Sequence, residues 1–431
     1  MTGSLGATSG RWALEAAILG LLLLGAAFAV ELIAELASAP SAAGHHDILA
    51  FWAAGRLILE GRPGDLYDVA SLTTLQRTVI PMPIGMNGYM PFINPPVAAA
   101  AFAPLAALTE PAARVAWAVL NVVLVAVAGL WLSRGMAGRE RLVATLLVAT
   151  SFPMYHALAE GQWSIVLLVA GLAALAAARR GDWAMAGVAV AVLWLKPQFI
   201  VLPLLLLARG RRWRAVGAAV ATGAIAVIVA LPFTGLPANL TYLGYLADVV
   251  TSHFSGAGAD GGAGSATIWQ GDLASTEGLN GLLVGWFGQG TVGFVNLLWT
   301  GLVVILAGLY AQAARAVRPG FAAPGNRLML AAGIVLVLLV NPNQFVQDCV
   351  LVFLVLEALS PLSADRRLAA IAVTVVVADV TFLDLQVPAL HLFPIILSGG
   401  LAWACWRSLA SSRRRPGPAA DGAPAPSATE R

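Results

Sequence analysis

Apolar residues along the chain fall into long runs broken by short polar clusters, not into the strict alternation of strands. Runs sized to cross ~30 Å of hydrocarbon occupy residues 12–36, 115–132, 142–157, 163–178, 183–208, 215–233, 291–314, 328–345, 349–360, 368–385 and 391–408. The pattern predicts an all-α integral membrane protein, a multi-span helical bundle. Between the runs, residues 47–60 place Ile48, Phe51, Trp52, Gly55, Leu57, Ile58 and Leu59 at helical spacing. That spacing predicts an amphipathic helix lying on the membrane face. Residues 65–80 allow a second short helix, and the Gly-rich, polar stretch 254–290 reads as a mobile cover over a site.

Composition agrees with the pattern. Hydrophobic residues make up 59% and charged residues 11% of the 431, with a mean hydropathy of +0.82. Soluble domains carry ~25% charged residues, so the solvent for this surface must be a bilayer. The net charge of +3 gives no reason to expect nucleic acid as a partner. Cys349 and Cys405 lie in apolar runs and suggest neither a disulfide nor a thiolate metal site.

Basic residues set the orientation, because cytoplasmic loops collect Arg and Lys near span ends. The clusters are Arg11; Arg134, Arg139 and Arg141; Arg179 and Arg180; Arg209, Arg211, Arg212 and Arg214; Arg315, Arg318 and Arg327; Arg366 and Arg367; and Arg407 with Arg413 to Arg415. All share the cytoplasmic side if 183–208 breaks at Lys196-Pro197 into two half-spans, and if 95–108 dips in from outside without crossing. The rival topology makes both stretches full crossings and exports Arg134, Arg139, Arg141, Arg179 and Arg180. Either way residues 1–11 and the tail 411–431 are cytoplasmic, the tail disordered. The membrane domain is 12–410, and the long loops 37–94 and 234–290 are outside.

Candidate chemistry gathers at the outer side. Asp47 opens the first outer helix, either as an N-cap or as a carboxylate able to take a proton from an acceptor hydroxyl. His45 and His46 beside it are solvated loop residues or phosphate ligands. Lys196 is the only lysine, deep in an apolar stretch where a cation costs ~2.5–3.5 kcal/mol. It either snorkels to the interface or meets an anionic lipid phosphate. Tyr89, Asn94, Pro95 and Pro96, then His156, Glu160, Gly161 and Gln162, then Asn341, Asn343, Gln344, Gln347 and Asp348 interrupt the spans on that side. Asn and Gln amides suit sugar hydroxyls because they donate and accept at once. The histidines lack the spacing of a helical zinc site, and no phosphate-cradling Gly loop or dinucleotide fingerprint occurs. No metal or cofactor is expected.

The order HHDILAFWAAGRLILEGRPGDLYD, GYMPFINPPVAAAAFAPLAAL, AEGQWSIVLLV and LKPQFIVLPLLLLARGRRWRA resembles glycosyltransferase family 87. These are polyprenyl-phosphate-mannose-dependent membrane mannosyltransferases of the C-type glycosyltransferase fold, with juxtamembrane helices on the outer face. The resemblance implies an inverting transfer from a polyprenyl-phosphate sugar donor to a glycolipid or glycan acceptor, outside the bacterial cytoplasmic membrane. It implies Asp47 as general base and places Lys196, Gln198 and Gln162 near the donor. His46 or Arg56 would assist Lys196 at the phosphate. Tyr89, Asn94, His156, Gln162, Gln198, Asn343, Gln347 and Asp348 would serve sugar or acceptor. Where related enzymes often carry His next to Asp or His, this chain reads Gln347-Asp348. A transporter or lipid flippase for a glycolipid or anionic substrate is the alternative, since broken helices and intramembrane charges mark transporters as well.

Overall fold

A computed structural model describes residues 3–37, 47–81, 89–255, 276–288, 292–315, 324–341, 344–387 and 390–413. Of the tail expected over 411–431, residues 411–413 continue the last helix, and 414–431 lie outside the described residues, as do His45, His46 and Asn343. Helices follow in the order α1 (Gly3–Ala37), α2 (Ile48–Leu59), α3 (Val69–Arg77), α4 (Pro96–Ala106), α5 (Glu110–Leu132), α6 (Gly138–Ala149), α7 (Phe152–Ala159) and α8 (Ser164–Arg179). Then come α9 (Trp183–Val190), α10 (Val201–Arg209), α11 (Trp213–Ser255), α12 (Leu279–Phe287), α13 (Val292–Arg315), α14 (Pro324–Val340), α15 (Leu354–Leu359), α16 (Ala364–Gln386) and α17 (Leu392–Arg413). No strand occurs among the described residues.

Six described helices are long and apolar enough to cross a membrane, and α6 with α7, bent by 54° at their break, have together the length and apolarity of a seventh. Their outward faces carry exposed Leu19 and Leu23, Val119 and Val123, Ile228 and Val229, and Val304 and Ile305. In water such surfaces would aggregate; in lipid they are the solvated surface. The eleven apolar runs of the sequence are therefore not eleven equal rods. Residues 349–360, for instance, are a 3-10 stretch (Val346–Phe353) continued by the six-residue α15. A 3-10 turn rises 2.0 Å per residue, so this short piece still reaches about 25 Å.

Both conditions for collecting the basic clusters on one side are met in relative terms. The stretch 183–208 breaks where Pro197 removes an N–H, with 3-10 turns at Ala191–Leu195 and Pro197–Phe199 on either side of Lys196. Its two ends return to the same side, since the Arg212 guanidinium lies 4.0 Å over the Trp183 ring. α4 has eleven residues, about 16 Å of helix, too short to cross. Arg134 and Arg179 meet the same carboxylate, Glu357, and Arg367 donates to the Arg134 carbonyl. The rival topology, which separates Arg134 and Arg179 from Arg367, is thereby excluded.

Two expectations for the outer loops need correction. α2 does not lie on the membrane face: Ile48 to Gly55, Leu57 and Ile58 are all buried. Ala98, Ala99, Ala103 and Ala106 give α4 a flat surface, and α2 packs on it alongside Trp117 and Trp163. The apolar periodicity of 47–60 was that of a helix covered everywhere but at Arg56 and Leu59. A Cβ on Gly55 would stand 2.7 Å from the Ala106 Cβ and 3.2 Å from the Ala103 Cα. Gly55→Val is therefore expected to destabilise the protein by about 1–3 kcal/mol, read as a lower melting temperature in detergent; an unchanged value would refute the close packing.

The second correction concerns 254–290. Residues 256–275 lie outside the description, but 276–288 are an ordered plug, with Thr276, Glu277 and Leu279 to Val284 buried. Burial and the neighbouring Asp384 carboxylate, with which it shares a hydrogen bond, push the Glu277 carboxyl up to about 9. It therefore carries a proton at neutral pH and fastens the plug to α16.

Candidate functional site

The turn Glu160-Gly161-Gln162 between α7 and α8 joins the two polar groups singled out in the sequence. Gly161 has φ +68, and a Cβ there would stand 2.7 Å from the Ile48 Cβ, so only glycine lets this turn press against the start of α2. Trp117 Nε1 fixes the turn from α5, donating to the Gly161 carbonyl at 2.7 Å. The backbone N–H of Ile48 donates to the Glu160 carbonyl at 3.0 Å, and that of Asp47 to Glu160 Oε2 at 3.2 Å.

Glu160 thus supplies acceptors to the first amides of α2, work that an N-cap does. The Asp47 side chain makes no cap hydrogen bond. It accepts instead from the Gln162 amide, Nε2 to Oδ2. The N-cap reading of Asp47 is set aside on this geometry. Two carboxyls side by side cannot both ionise cheaply. Burial, and then the Asp47 charge, raise the Glu160 carboxyl well above 4.5, so Glu160 holds the proton of the pair.

The sign of the resulting pH dependence follows. Above about pH 4.5 the unfolded chain has released the Glu160 proton while the folded protein keeps it, so stability falls as pH rises through that window. The wild-type melting temperature should drop as pH rises above about 4.5, and Glu160→Gln should flatten that drop. Equal slopes for the two proteins would show that Glu160 is not the protonated partner.

Two residues beyond Gln162, the first residue of α8 reaches the second polar group. Lys196 Nζ lies 2.6 Å from Asp348 Oδ1 and 3.4 Å from Ser164 Oγ, and Ser164 Oγ bonds the same Asp348 oxygen. All three residues are buried, Lys196 at 6% and Ser164 and Asp348 at 0% exposure. Lys196 therefore does not snorkel. Its counter-charge within the chain is Asp348, which the sequence reading had placed among sugar or acceptor ligands. One of the three ammonium donors and Asp348 Oδ2 remain uncommitted. The break in the helix is held from outside: Asn94 Nδ2 donates to the Leu195 carbonyl and the Tyr67 hydroxyl donates to the Asn94 carbonyl, both at 2.8 Å. Tyr242 and Tyr245 of α11 stack on Tyr67 with ring centroids 5.7 and 5.9 Å away.

His156 on α7 stands within the electrostatic reach of Asp348, and its Nδ1 is buried without a partner. Gln347 precedes Asp348 in the same 3-10 stretch and is buried, and Gln198 is half-buried in the turn after Lys196. Tyr89 is buried with Phe92 beside α2. Arg56 is not brought to the site. It sits about two and a half turns from Asp47 along α2, half-exposed, 3.7 Å from Glu60. Asp379 and Asp384 are accounted for structurally, accepting from the first amides of α7 and α17. Among the described residues no three His, Cys, Asp or Glu side chains converge as metal ligands.

Ser164 and the pairing of Asp348 with Lys196 escaped the sequence reading, and Glu160 was seen there only as one member of a polar cluster. A carboxylate four residues before a span carries no local sign of what it faces 113 residues away.

These features define a polytopic membrane protein whose convergent polar groups, a carboxyl pair and a lysine–aspartate pair, share one end of the helix bundle. The model of glycosyltransferase family 87 matches residues 92–342, more than half the chain, and the protein belongs to that family. It is accordingly a membrane glycosyltransferase, not the transporter of the alternative reading. The match contains Asn94, His156, Gln162, Lys196 and Gln198 but not Asp47 or Asp348. No curated protein and no solved structure matches the chain.

Proposed function

We propose that the protein transfers a hexose, mannose by its family resemblance, from a polyprenyl-phosphate donor to a hydroxyl of a glycolipid or glycan. The transfer takes place at the outer face of the bacterial cytoplasmic membrane, with inversion. The observation that carries this reading is the Asp47 carboxylate, released from helix capping by Glu160 and oriented by Gln162, one short segment away from Lys196.

In the step proposed, Asp47 takes the acceptor hydroxyl proton as that oxygen bonds the anomeric carbon. The bond from that carbon to the phosphate oxygen breaks, and its electron pair leaves with the lipid phosphate. The transition state is oxocarbenium-like, and negative charge grows on the phosphate as the bond lengthens. A cation already held in a dry corner stabilises that growth without reorganising. Lys196 supplies it, with one ammonium donor left for a phosphate oxygen. Protonated Glu160 keeps a second negative charge from forming beside the base.

The test is transfer from radiolabelled polyprenyl-phosphate-mannose by the purified protein in proteoliposomes. Label is expected to move to an added membrane-extract glycolipid, and a nucleotide-linked sugar should not replace the lipid-linked donor. Label that stays on the donor, or transfer that requires the nucleotide sugar, would overturn the proposal.

A further inference from the structure

At the opposite end of α8, roughly 24 Å from the site, four arginines gather around one carboxylate, and two of them, Arg134 and Arg179, contact it. Arg134, just after α5, sets Nη1 2.7 Å from Glu357 Oε2 and Nη2 2.8 Å from Oε1. Arg179, the last residue of α8, sets Nη1 3.3 Å from Glu357 Oε1. Arg367 donates to the Leu132 and Arg134 carbonyls at 3.3 and 3.0 Å and to Ser360 Oγ at 2.7 Å. Arg327 is close enough to act on Arg179, as Arg134 and Arg367 are, and Glu357 is the carboxylate that acts on Arg179 among the described residues. Among the described residues, Arg134, Arg179 and Arg367 bring more positive charge to this corner than Glu357 balances.

Helix dipoles explain only half of this. Arg134 and Arg179 sit at helix C-termini, where cations are favoured, but Arg327 and Arg367 lie in the first turns of α14 and α16, where they are disfavoured. An ion-pair staple for Glu357 needs one or two of them. We propose that the cluster binds the phosphate of an anionic membrane phospholipid.

Three observations support that ligand. The cluster lies at the ends of membrane helices, with Trp131 5.6 Å from the Arg134 guanidinium and exposed Leu130 and Leu142 nearby in sequence, which suits a headgroup above acyl chains. Arg134 keeps 39% of its side chain exposed, so a lipid can reach it, while Arg179 Nη2 is buried without a partner. The guanidinium fork matches phosphate oxygens, and basic pockets between helices on the cytoplasmic side are where acidic headgroups bind.

Native mass spectrometry of the full-length protein from mixed micelles of phosphatidylglycerol and phosphatidylcholine tests this. The wild type should retain phosphatidylglycerol selectively, and R134Q/R179Q should lose about ten-fold or more of that retention. R366Q, an exposed neighbour outside the cluster, should retain it as the wild type does. If the double variant fails to fold, R134Q alone, in which Arg179 still holds Glu357, should show a several-fold loss. Equal retention of both lipids, unchanged retention in R134Q, or binding of inorganic phosphate with no lipid would overturn the proposal. None of these outcomes depends on the transfer reaction.

Discussion

Asp47→Asn is expected to lower transfer in proteoliposomes by about 10²–10⁴-fold, the contribution of a positioned general base. The substitution is nearly isosteric and keeps an oxygen for the Gln162 amide, so folding and donor binding should survive. The loss should therefore fall on the turnover rate rather than on the Michaelis constant for the donor. Glu160 complicates the picture in a useful way. With the Asp47 charge removed, Glu160 loses the second of the causes that keep it protonated, burial being the first, and its carboxyl becomes easier to ionise at the same turn. A small residual rate that rises with pH would then report Glu160 acting in place of the missing base, and adding Glu160→Gln should abolish it. Full activity in Asp47→Asn would remove the proposed base altogether.

The second large effect concerns Lys196 and Asp348. Their contact is short and buried, and breaking a buried pair from one side typically costs about 3–5 kcal/mol, because it strands a charge. Asp348→Asn should therefore lower the melting temperature markedly, leaving an ammonium in an apolar break. Lys196→Met should do so less, since a stranded carboxyl can take up a proton. The double variant Lys196→Met/Asp348→Asn should recover most of the stability lost by Asp348→Asn while transfer stays lost by about 10²–10³-fold. Stability and activity would thus separate within one set of variants. Additive stability losses would show that the two groups are not coupled, and a double variant that still transfers would show that the ammonium is not needed at the phosphate.

The sequence displayed some of this plainly. A proline next to the only lysine announced the break at Lys196-Pro197, because the missing N–H is a local fact. The helix Ile48–Leu59 was readable from its spacing, though not how completely it is covered, since periodicity does not say how many neighbours a helix has. The pairing of basic clusters with one membrane side could be argued from counts of arginines, yet two topologies fitted until Arg367 was seen donating to the Arg134 carbonyl. What stayed hidden was contact at long range. Lys196 and Asp348 are 152 residues apart, and nothing near either names the other. The family departure at Gln347-Asp348 marked the position as different without saying that a carboxylate there would neutralise the lysine. The plug at 276–288 was hidden by its neighbours, whose glycines and polar residues made the whole stretch look like one loop.

Gly235 adopts φ +68 and ψ 157 in the middle of α11, a backbone region practically reserved for glycine. A straight helix of 43 residues would be a rod of about 65 Å, twice the depth of the hydrocarbon layer. The bend instead lays Tyr242 and Tyr245 against Tyr67, whose hydroxyl steadies Asn94, which in turn grips the carbonyl just before the lysine. The placement of the Lys196 backbone thus depends on a hinge-like joint with no side chain, far along the chain from the lysine itself. An engineer screening only the neighbours of Lys196 would miss it.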